Sequence, residues 1–329
     1  MKDPLIAQTE ATLEKYKMLS PGERLLVACS GGADSVALFH LLREIAPHTR
    51  IRLSLIHFDH ALRPGSAKDL KFVQKLAQCF NVPFYGAKQK PQAHLQKNLS
   101  PEERAREARY DFFEKTAQKT RVTKIALAHQ RDDQAETVLM RILQGTGLRG
   151  LQGIRPVIRR KGLTLIRPLF EVNRPQILRF LKEHSFSFCE DATNRSLKFL
   201  RNRIRRRLLP FLEKEFNPKI REALCRLADT AVVESVGMED WLKENWKSFV
   251  HSRRNGTLEL HRDPFLRLPA ALQFRLFDRI LRHFDAQSGI DFNAWGRMEK
   301  GLRKGRYRTT LPRKIDLRLT SKKLSLKKS

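Results

Sequence analysis

Long apolar runs are absent from this chain, and none approaches the roughly 18 residues that a membrane-spanning helix needs. The first residues, MKDPLIAQTEATLEKYK, lack a continuous apolar stretch, so no secretory signal is read there. Cysteine is scarce. Cys29, Cys79, Cys189 and Cys225 include no pair at C-x-x-C spacing, which argues against a zinc ribbon or a paired redox motif and for reduced thiols in the cytoplasm. Acidic residues are few beside basic ones: 35 Asp and Glu against 65 Lys and Arg, a formal net charge of +30 on 329 residues. That surplus is large for solubility alone and points to a polyanion, with nucleic acid first. No G-x-x-x-x-G-K-S/T occurs, so Ser30–Ser35 is not a Walker loop, and the order of its glycines does not fit G-x-G-x-x-G.

Apolar residues are not lacking. At 41% they are enough for a packed core and too many for a disordered chain. A single core rarely grows past about 250–300 residues, so two domains are expected. Through the first 190 residues, short apolar runs alternate with helical patterns. Leu25–Cys29, Ile51–Phe58, Val82–Ala87 and Lys124–Ala128 read as strands. Helical periodicity covers Val36–Ile45 and Lys68–Cys79. Ser100-Pro101-Glu102-Glu103 reads as a capping box opening a third helix, and a fourth follows Ala128. This β-α-β-α order predicts an α/β fold, a doubly wound parallel sheet whose ligands bind beyond the C-terminal strand ends. After Pro210 the pattern turns helical, and we place the domain boundary near Phe216. Residues 217–329 then form a smaller, mostly helical, basic domain. It includes an amphipathic helix from about Pro269 to Phe284, and KIDLRLTSKKLSL allows one or two strands. Its last 29 residues hold eleven Lys and Arg against one acid, Asp316, which makes that end a basic surface.

Four constellations carry chemistry. Ser30-Gly31-Gly32-Ala33-Asp34-Ser35 follows a strand and opens a helix. The glycines let backbone approach a ligand, the helix start offers unpaired N–H groups, and the serines add hydroxyls. Together they form a phosphate cradle, against the plainer reading of a glycine turn capped by Asp34. His57-Phe58-Asp59-His60-Ala61-Leu62-Arg63, with Ser66 and Asp69, ends the second strand. Its histidines either cap the turn or face the crevice. The fourth strand ends in His129-Gln130-Arg131-Asp132-Asp133-Gln134-Ala135-Glu136-Thr137. Asp133 and Glu136 share one helical face. They make either a capping box or an acid pair that holds Mg²⁺ or an amine nucleophile beside a triphosphate. Finally, Asp191-Ala192-Thr193-Asn194-Arg195 leads into Phe199–Arg207. Arg195 to Arg207 contains seven Lys and Arg and no acid. That segment is either a solvated basic helix or a phosphate-binding one.

SGGADS resembles the SGGxDS loop of the N-type ATP pyrophosphatases. The whole series resembles the bacterial tRNA(Ile)-lysidine synthetase family over about residues 24–210: SGGADS, HFDHALR, AREARY (Ala105–Tyr110), AHQRDDQAET with QGTGLRGLQG, IRPLFEVNRPQI and DATNRSLKFLRNRIR. Gln130 stands where a second histidine is common, and Ala192 where a bulkier residue or Pro is usual. The resemblance implies an adenine nucleotide alpha hydrolase-like (PP-loop ATPase) catalytic domain over 1–216 and a tRNA-binding domain over 217–329. It also implies an activity. The wobble cytidine O2 of a tRNA(Ile) with a CAU anticodon attacks the ATP α-phosphorus, and free lysine then displaces AMP at C2 to give lysidine, which shifts codon specificity from AUG to AUA.

Roles follow from that resemblance. Ser30, Gly31, Gly32, Ala33, Asp34, Ser35 and His57 bind ATP. Asp34, Asp133, Glu136 and His129 are catalytic, Asp133 and Glu136 hold lysine, and Asp34 and Asp133 hold Mg²⁺. Arg106, Arg109, Asn194, Arg201, Arg203 and Arg205 contact phosphate or tRNA. The expected cofactors are ATP and Mg²⁺, the location is the cytoplasm with no membrane partner, and the oligomeric state stays open, a homodimer among the options. A sulfur-transferring tRNA thiolase is the nearest rival, and isolated cysteines speak against it. An amidotransferase-type synthetase would need a glutaminase domain. A non-catalytic RNA-binding protein would have no use for an intact SGGADS with Asp133 and Glu136.

Overall fold

The computed structural model describes residues 3–59, 66–89, 101–189, 197, 199–254, 257–284, 292–304, 307–311, 315–320 and 323–328. His60–Arg63, Ser100 and the Asp191–Arg195 motif lie outside the described residues. The chain divides into two compact units, Met1–Gly145 with Gln152–Ala228 and Thr146–Leu151 with Asp229–Ser329. The division follows Ala228, inside a long helix, whereas composition changes near Phe216. Among the described residues no helix is long and apolar enough to cross a membrane.

The first unit is built on β1 (Arg24–Ala28), β2 (Arg52–Asp59), β3 (Phe84–Lys88), β4 (Lys124–Ala126), β5 (Val157–Arg160) and β6 (Leu163–Ile166). They form one sheet in the order β3-β2-β1-β4-β6-β5, parallel except for β5, which pairs antiparallel with β6 at the edge. Leu25, Leu26 and Val27 have no exposed surface, as a central strand covered on both faces requires. Their side chains alternate. Leu25 and Val27 join one core, with Val36, Phe39 and Leu42 of α2 (Ala33–Thr49) and Ile177 and Phe180 of α7 (Arg174–Glu183). Leu26 joins the other, with Tyr110, Phe113 and Ala117 of α4 (Pro101–Thr120). Helices therefore cover both faces, and the expected doubly wound sheet is what forms. The β5–β6 hairpin is an addition to that expectation. Lys161 (φ 47°) and Gly162 (φ 79°) take the two positive-φ positions of its tight turn.

This order sets the site. β1 runs on to α2, and β4 to α5 (Arg131–Leu143). Strand order reverses between β1 and β4, so the chain beyond each strand opens into the same crevice. SGGADS and His129–Glu136, about 100 residues apart in sequence, meet there for that reason.

The second unit departs from the mostly helical expectation. Its five strands are β7 (Val250–Arg254), β8 (Thr257–His261), β9 (Tyr307–Leu311), β10 (Ile315–Leu319) and β11 (Lys323–Lys328). They form an antiparallel sheet in the order β7-β8-β11-β10-β9. Leu258, Leu260, Ile315, Leu317, Leu319, Leu324 and Leu326 face a core shared with α13 (Ala270–Phe284) and α14 (Phe292–Arg303), around Phe277 and Trp295. The strands are five or six residues long, and polar or charged residues occupy many of their alternate positions. No continuous apolar run therefore marks them.

Candidate active site

The loop after β1 is braced from within. Ser35 Oγ accepts from the Ser30 N–H (3.1 Å) and donates to the Gly32 carbonyl (2.9 Å), with Ser30 Oγ 3.1 Å away. Ser35 is buried, so its hydroxyl holds the loop's shape while the exposed Ser30 faces outward. Gly31 sits at φ 90°, where other residues are strained. A Cβ there would lie 3.5 Å from Cys189 Sγ and 3.7 Å from Asp69 Cβ. The Gly31 carbonyl accepts the Cys189 N–H at 2.8 Å. Gly32 is the N-cap of α2 and brings no capping side chain. The first-turn N–H groups of Ala33, Asp34 and Ser35 have no intrahelical acceptor and carry the positive end of the helix dipole. The loop is thus an anion cradle at the start of a 17-residue helix.

His57, at the end of β2, is buried and braces β1: its Nδ1–H donates to the Cys29 carbonyl at 2.8 Å. Burial pushes its pKa below the usual histidine value, so the ring is neutral and Nε2 is its acceptor. Asp34 pairs with Arg174 Nη1 at the start of α7. Burial raises its carboxyl above the ordinary range, and the Arg174 charge offsets part of that rise.

The start of α5 carries the acids. Gln130 is its N-cap, with Gln130 Oε1 accepting from the Asp132 N–H (2.6 Å) and Asp133 Oδ2 accepting from the Gln130 N–H (3.0 Å). The capping box therefore joins Gln130 to Asp133, and Glu136 takes no part in it. Asp133 Oδ1 accepts from Nη2 of Arg201 (2.9 Å) and of Arg205 (3.1 Å). Glu136, 1% exposed, accepts from Arg201 Nε (2.9 Å) and Arg205 Nε (2.5 Å). Burial raises the Asp133 carboxyl, against the pull of Arg201. Arg201 lies in α8 (Leu200–Arg203), and Arg205 in the π-helical turn Ile204–Leu208 that follows. Four residues apart, they share one face. Arg203, Arg206 and Arg207 are exposed on the other side.

Arginine also surrounds His129. Arg167, just after β6, is 3% exposed and donates from Nε to His129 Nδ1 at 3.2 Å. Burial and the charges of Arg167, Arg201, Arg109 and Arg106 hold the imidazole well below its usual pKa. Arg109 is half-buried, and burial lowers its pKa; its Nε has no acceptor among the described residues. Arg106 and Arg109 both lie over the Tyr110 ring, at 5.6 and 5.5 Å.

The site residues expected from the sequence therefore fall into three groups. The loop residues form a cradle. Asp133 and Glu136 form a buried acid pair holding Arg201 and Arg205. Arg106 and Arg109 flank His129. Arg203 faces solvent, and Asn194 lies outside the described residues. Four residues were missed, among them Gln130 as the cap that fixes Asp133, Arg174 on Asp34 and Arg167 on His129. The last two lie in IRPLFEVNRPQI, a motif noted without roles. Asp132 was also missed. It accepts from the Arg174 N–H (2.9 Å) and from Arg221 Nη1 (3.2 Å), tying α5 to α7 and to α10 (Ile220–Glu244).

Among the described residues no three His, Cys, Asp or Glu side chains converge as a metal cage. All four cysteines are free, and burial pushes the Cys29 thiol up to about 11, far from a reactive thiolate.

Comparison with known proteins agrees with this geometry. A PP-loop domain family matches residues 4–212. The tRNA(Ile)-lysidine synthase of Symbiobacterium thermophilum is 37% identical over 279 residues, covering 83% of this chain and 58% of that protein. The enzyme of the same name from Gloeobacter violaceus is 37% identical over 270 residues, covering 80% and 78%. That of Clostridium acetobutylicum is 37% identical over 241 residues, covering 72% and 51%. The match thus spans little more than half of two of these relatives and most of the third. Among solved structures, the U34-tRNA thiolase NcsA from Methanococcus maripaludis, with its 4Fe–4S cluster, shares the fold with a TM-score of 0.58. It is 16% identical and covers 70% of this chain and 80% of its own. A nucleotide-loop sheet of this topology, a braced SGGADS and sequence identity across four-fifths of its length make this chain a member of the tRNA(Ile)-lysidine synthase family of PP-loop proteins.

Proposed function

We propose that this chain uses ATP to join lysine to C2 of the wobble cytidine in a tRNA(Ile) with a CAU anticodon. In the first step the cytidine O2 attacks the α-phosphorus, the bond to the β-phosphate oxygen breaks and pyrophosphate leaves. N–H groups from Gly31 to Ser35 stabilise that leaving group, and Arg106, Arg109 and Arg167 face the charge on the α-phosphate. In the second step the lysine ε-nitrogen attacks C2, the C2–O bond breaks and AMP departs. The ammonium must first lose a proton, and Asp133, whose carboxyl burial makes more basic, accepts it beside Glu136.

One observation carries this reading. Two buried carboxylates on one turn of α5 already bind cationic nitrogen, in the crevice that the phosphate loop opens into. Arg205 senses Glu136, Asp133 and Asp34 together, so the loop and the acid pair form one electrostatic site. A pair that holds two guanidiniums suits a lysine ammonium. Asp34 and Asp133 fit Mg²⁺ bound mainly through phosphate oxygens and water, since that ion takes only one or two carboxylates in such sites. When bound, it would neutralise charge on the phosphates. Exposed Arg203, Arg206 and Arg207, with Asn194 and the basic second unit, suit the tRNA backbone, and the reduced thiols suit the cytoplasm.

The test is label transfer from α-³²P-ATP. With tRNA(Ile) transcript and no lysine, label should become tRNA-bound; added lysine should release it as AMP. Label that never reaches tRNA would refute adenylation of the base.

A further inference from the structure

We propose that Arg167 is a positioning residue that fixes His129 in one neutral tautomer, its single proton on Nε2, so that His129 acts as an uncharged hydrogen-bond donor and not as an acid–base catalyst. The role assigned to that donor, a bond to an oxygen of the reacting phosphate, rests on the function proposed above. The tautomer does not.

A guanidinium has N–H donors and no acceptor. Arg167 Nε lies 3.2 Å from His129 Nδ1, so that ring nitrogen must be the acceptor and bears no proton. A neutral imidazole then carries its proton on Nε2. A charged imidazolium would set N–H against N–H. The charges that weigh most on the ring are cations: Arg167 after β6, Arg201 on α8, and Arg109 and Arg106 on α4. Burial acts in the same direction. Arg167 is itself held firmly. Its N–H donates to the Pro156 carbonyl (3.0 Å), its Nη1 to the Arg155 carbonyl (2.5 Å), and the preceding Ile166 carbonyl accepts the Leu127 N–H (2.8 Å).

His57 is the counter-example within the same crevice. Its Nδ1 faces a carbonyl, which only accepts, so there Nδ1 is protonated. The two crevice histidines are thus set in opposite tautomers by their partners. An acid–base histidine works best with a pKa near the operating pH. Four arginines and burial remove His129 from that role, while a fixed Nε2–H is available throughout the reaction.

The experiment is a long-range ¹H–¹⁵N correlation spectrum of full-length protein labelled with ¹⁵N-histidine, recorded from pH 5 to 8. The His129 signals are assigned by their loss in His129→Gln. The expected result is the Nε2–H pattern without titration. An Nδ1–H pattern, or an imidazolium midpoint inside that range, overturns the proposal. This spectrum decides the matter even if Arg167 variants fail to fold. In Arg167→Met, His129 should begin to titrate and adenylation kcat should fall about 10²-fold, with KM for lysine unchanged. A silent His129 spectrum in a folded Arg167→Met also overturns it. His129→Gln retains a neutral N–H and should stay within about tenfold of wild type, where His129→Ala loses about 10²-fold or more; equal losses would contradict a donor role. Absence of ATP turnover in wild type would sink the functional reading and leave the tautomer test standing.

Discussion

Two sets of arginines flank the start of α5 in opposite electrical circumstances. Arg201 and Arg205 meet two carboxylates, Asp133 and Glu136, and the four side chains balance. Arg106, Arg109 and Arg167 meet neutral partners: the Tyr110 ring, a histidine nitrogen and a carbonyl. Burial pushes Arg167 down to about 10, far below an ordinary guanidinium. An unmatched buried cation costs several kcal/mol; the charge of Asp133 offsets part of that cost at Arg167, and Arg106 is exposed. The difference suits the two sets to the different ligands proposed for them. The balanced set can exchange one cation for another, as a lysine ammonium would require. The unbalanced set lacks negative charge, which a phosphate supplies.

The largest expected effect breaks the balanced set. Asp133→Asn should lower lysine-dependent AMP release about 10³-fold, read by thin-layer analysis of the labelled transcript. Lysine turnover within tenfold of wild type would remove Asp133 from the amine site.

A buried histidine far from either set gives the next effect and a control for burial alone. His40 stacks on Phe186 at 3.5 Å, and burial lowers its pKa to about 4. The unfolded chain, with a histidine pKa near 6.5, binds the proton first. The contribution of neutral His40 is therefore complete above about pH 6.5 and lost as pH falls to 4, an amount of about 3 kcal/mol. Urea unfolding of His40→Leu against wild type should show a stability difference that shifts by that amount in favour of the variant between pH 7 and 4. A difference that stays constant would mean that His40 is not held neutral.

Opposite stability changes should then separate the two arginine sets. Arg109→Met should slow adenylation about 10²-fold while leaving the urea midpoint unchanged or higher, because it removes an unmatched charge. Arg205→Met should lower stability by about 1–2 kcal/mol, its side chain being more than a third exposed. Equal stability losses in both variants would erase the distinction. The smallest effect belongs to neither set. Replacing the exposed Arg203, Arg206 and Arg207 with serine should reduce the slope of log K against log salt for tRNA by about 2–3. An unchanged slope would take them off the tRNA path.

The phosphate loop was legible in the sequence because strand, glycines and helix start are contiguous. Asp133 and Glu136 were legible as an acid pair because three residues on a helix share a face. Their cap was not: Gln130 satisfies the orphan N–H of Asp132, a use of glutamine that spacing does not announce. Arg174 acts on Asp34 across 140 residues and Arg167 on His129 across 38, and only the sheet order brings them together. Of the second sheet, β10 and β11 were legible in the alternation of KIDLRLTSKKLSL, whereas β7, β8 and β9 are too short and too polar to stand out.

The most direct test of the whole account is nucleoside mass spectrometry. The intact protein would be incubated with ATP, isotopically labelled lysine and the tRNA(Ile) transcript, and the tRNA then digested. The account predicts labelled lysidine at the wobble position in step with AMP and pyrophosphate. Unmodified cytidine with no AMP formed would contradict it.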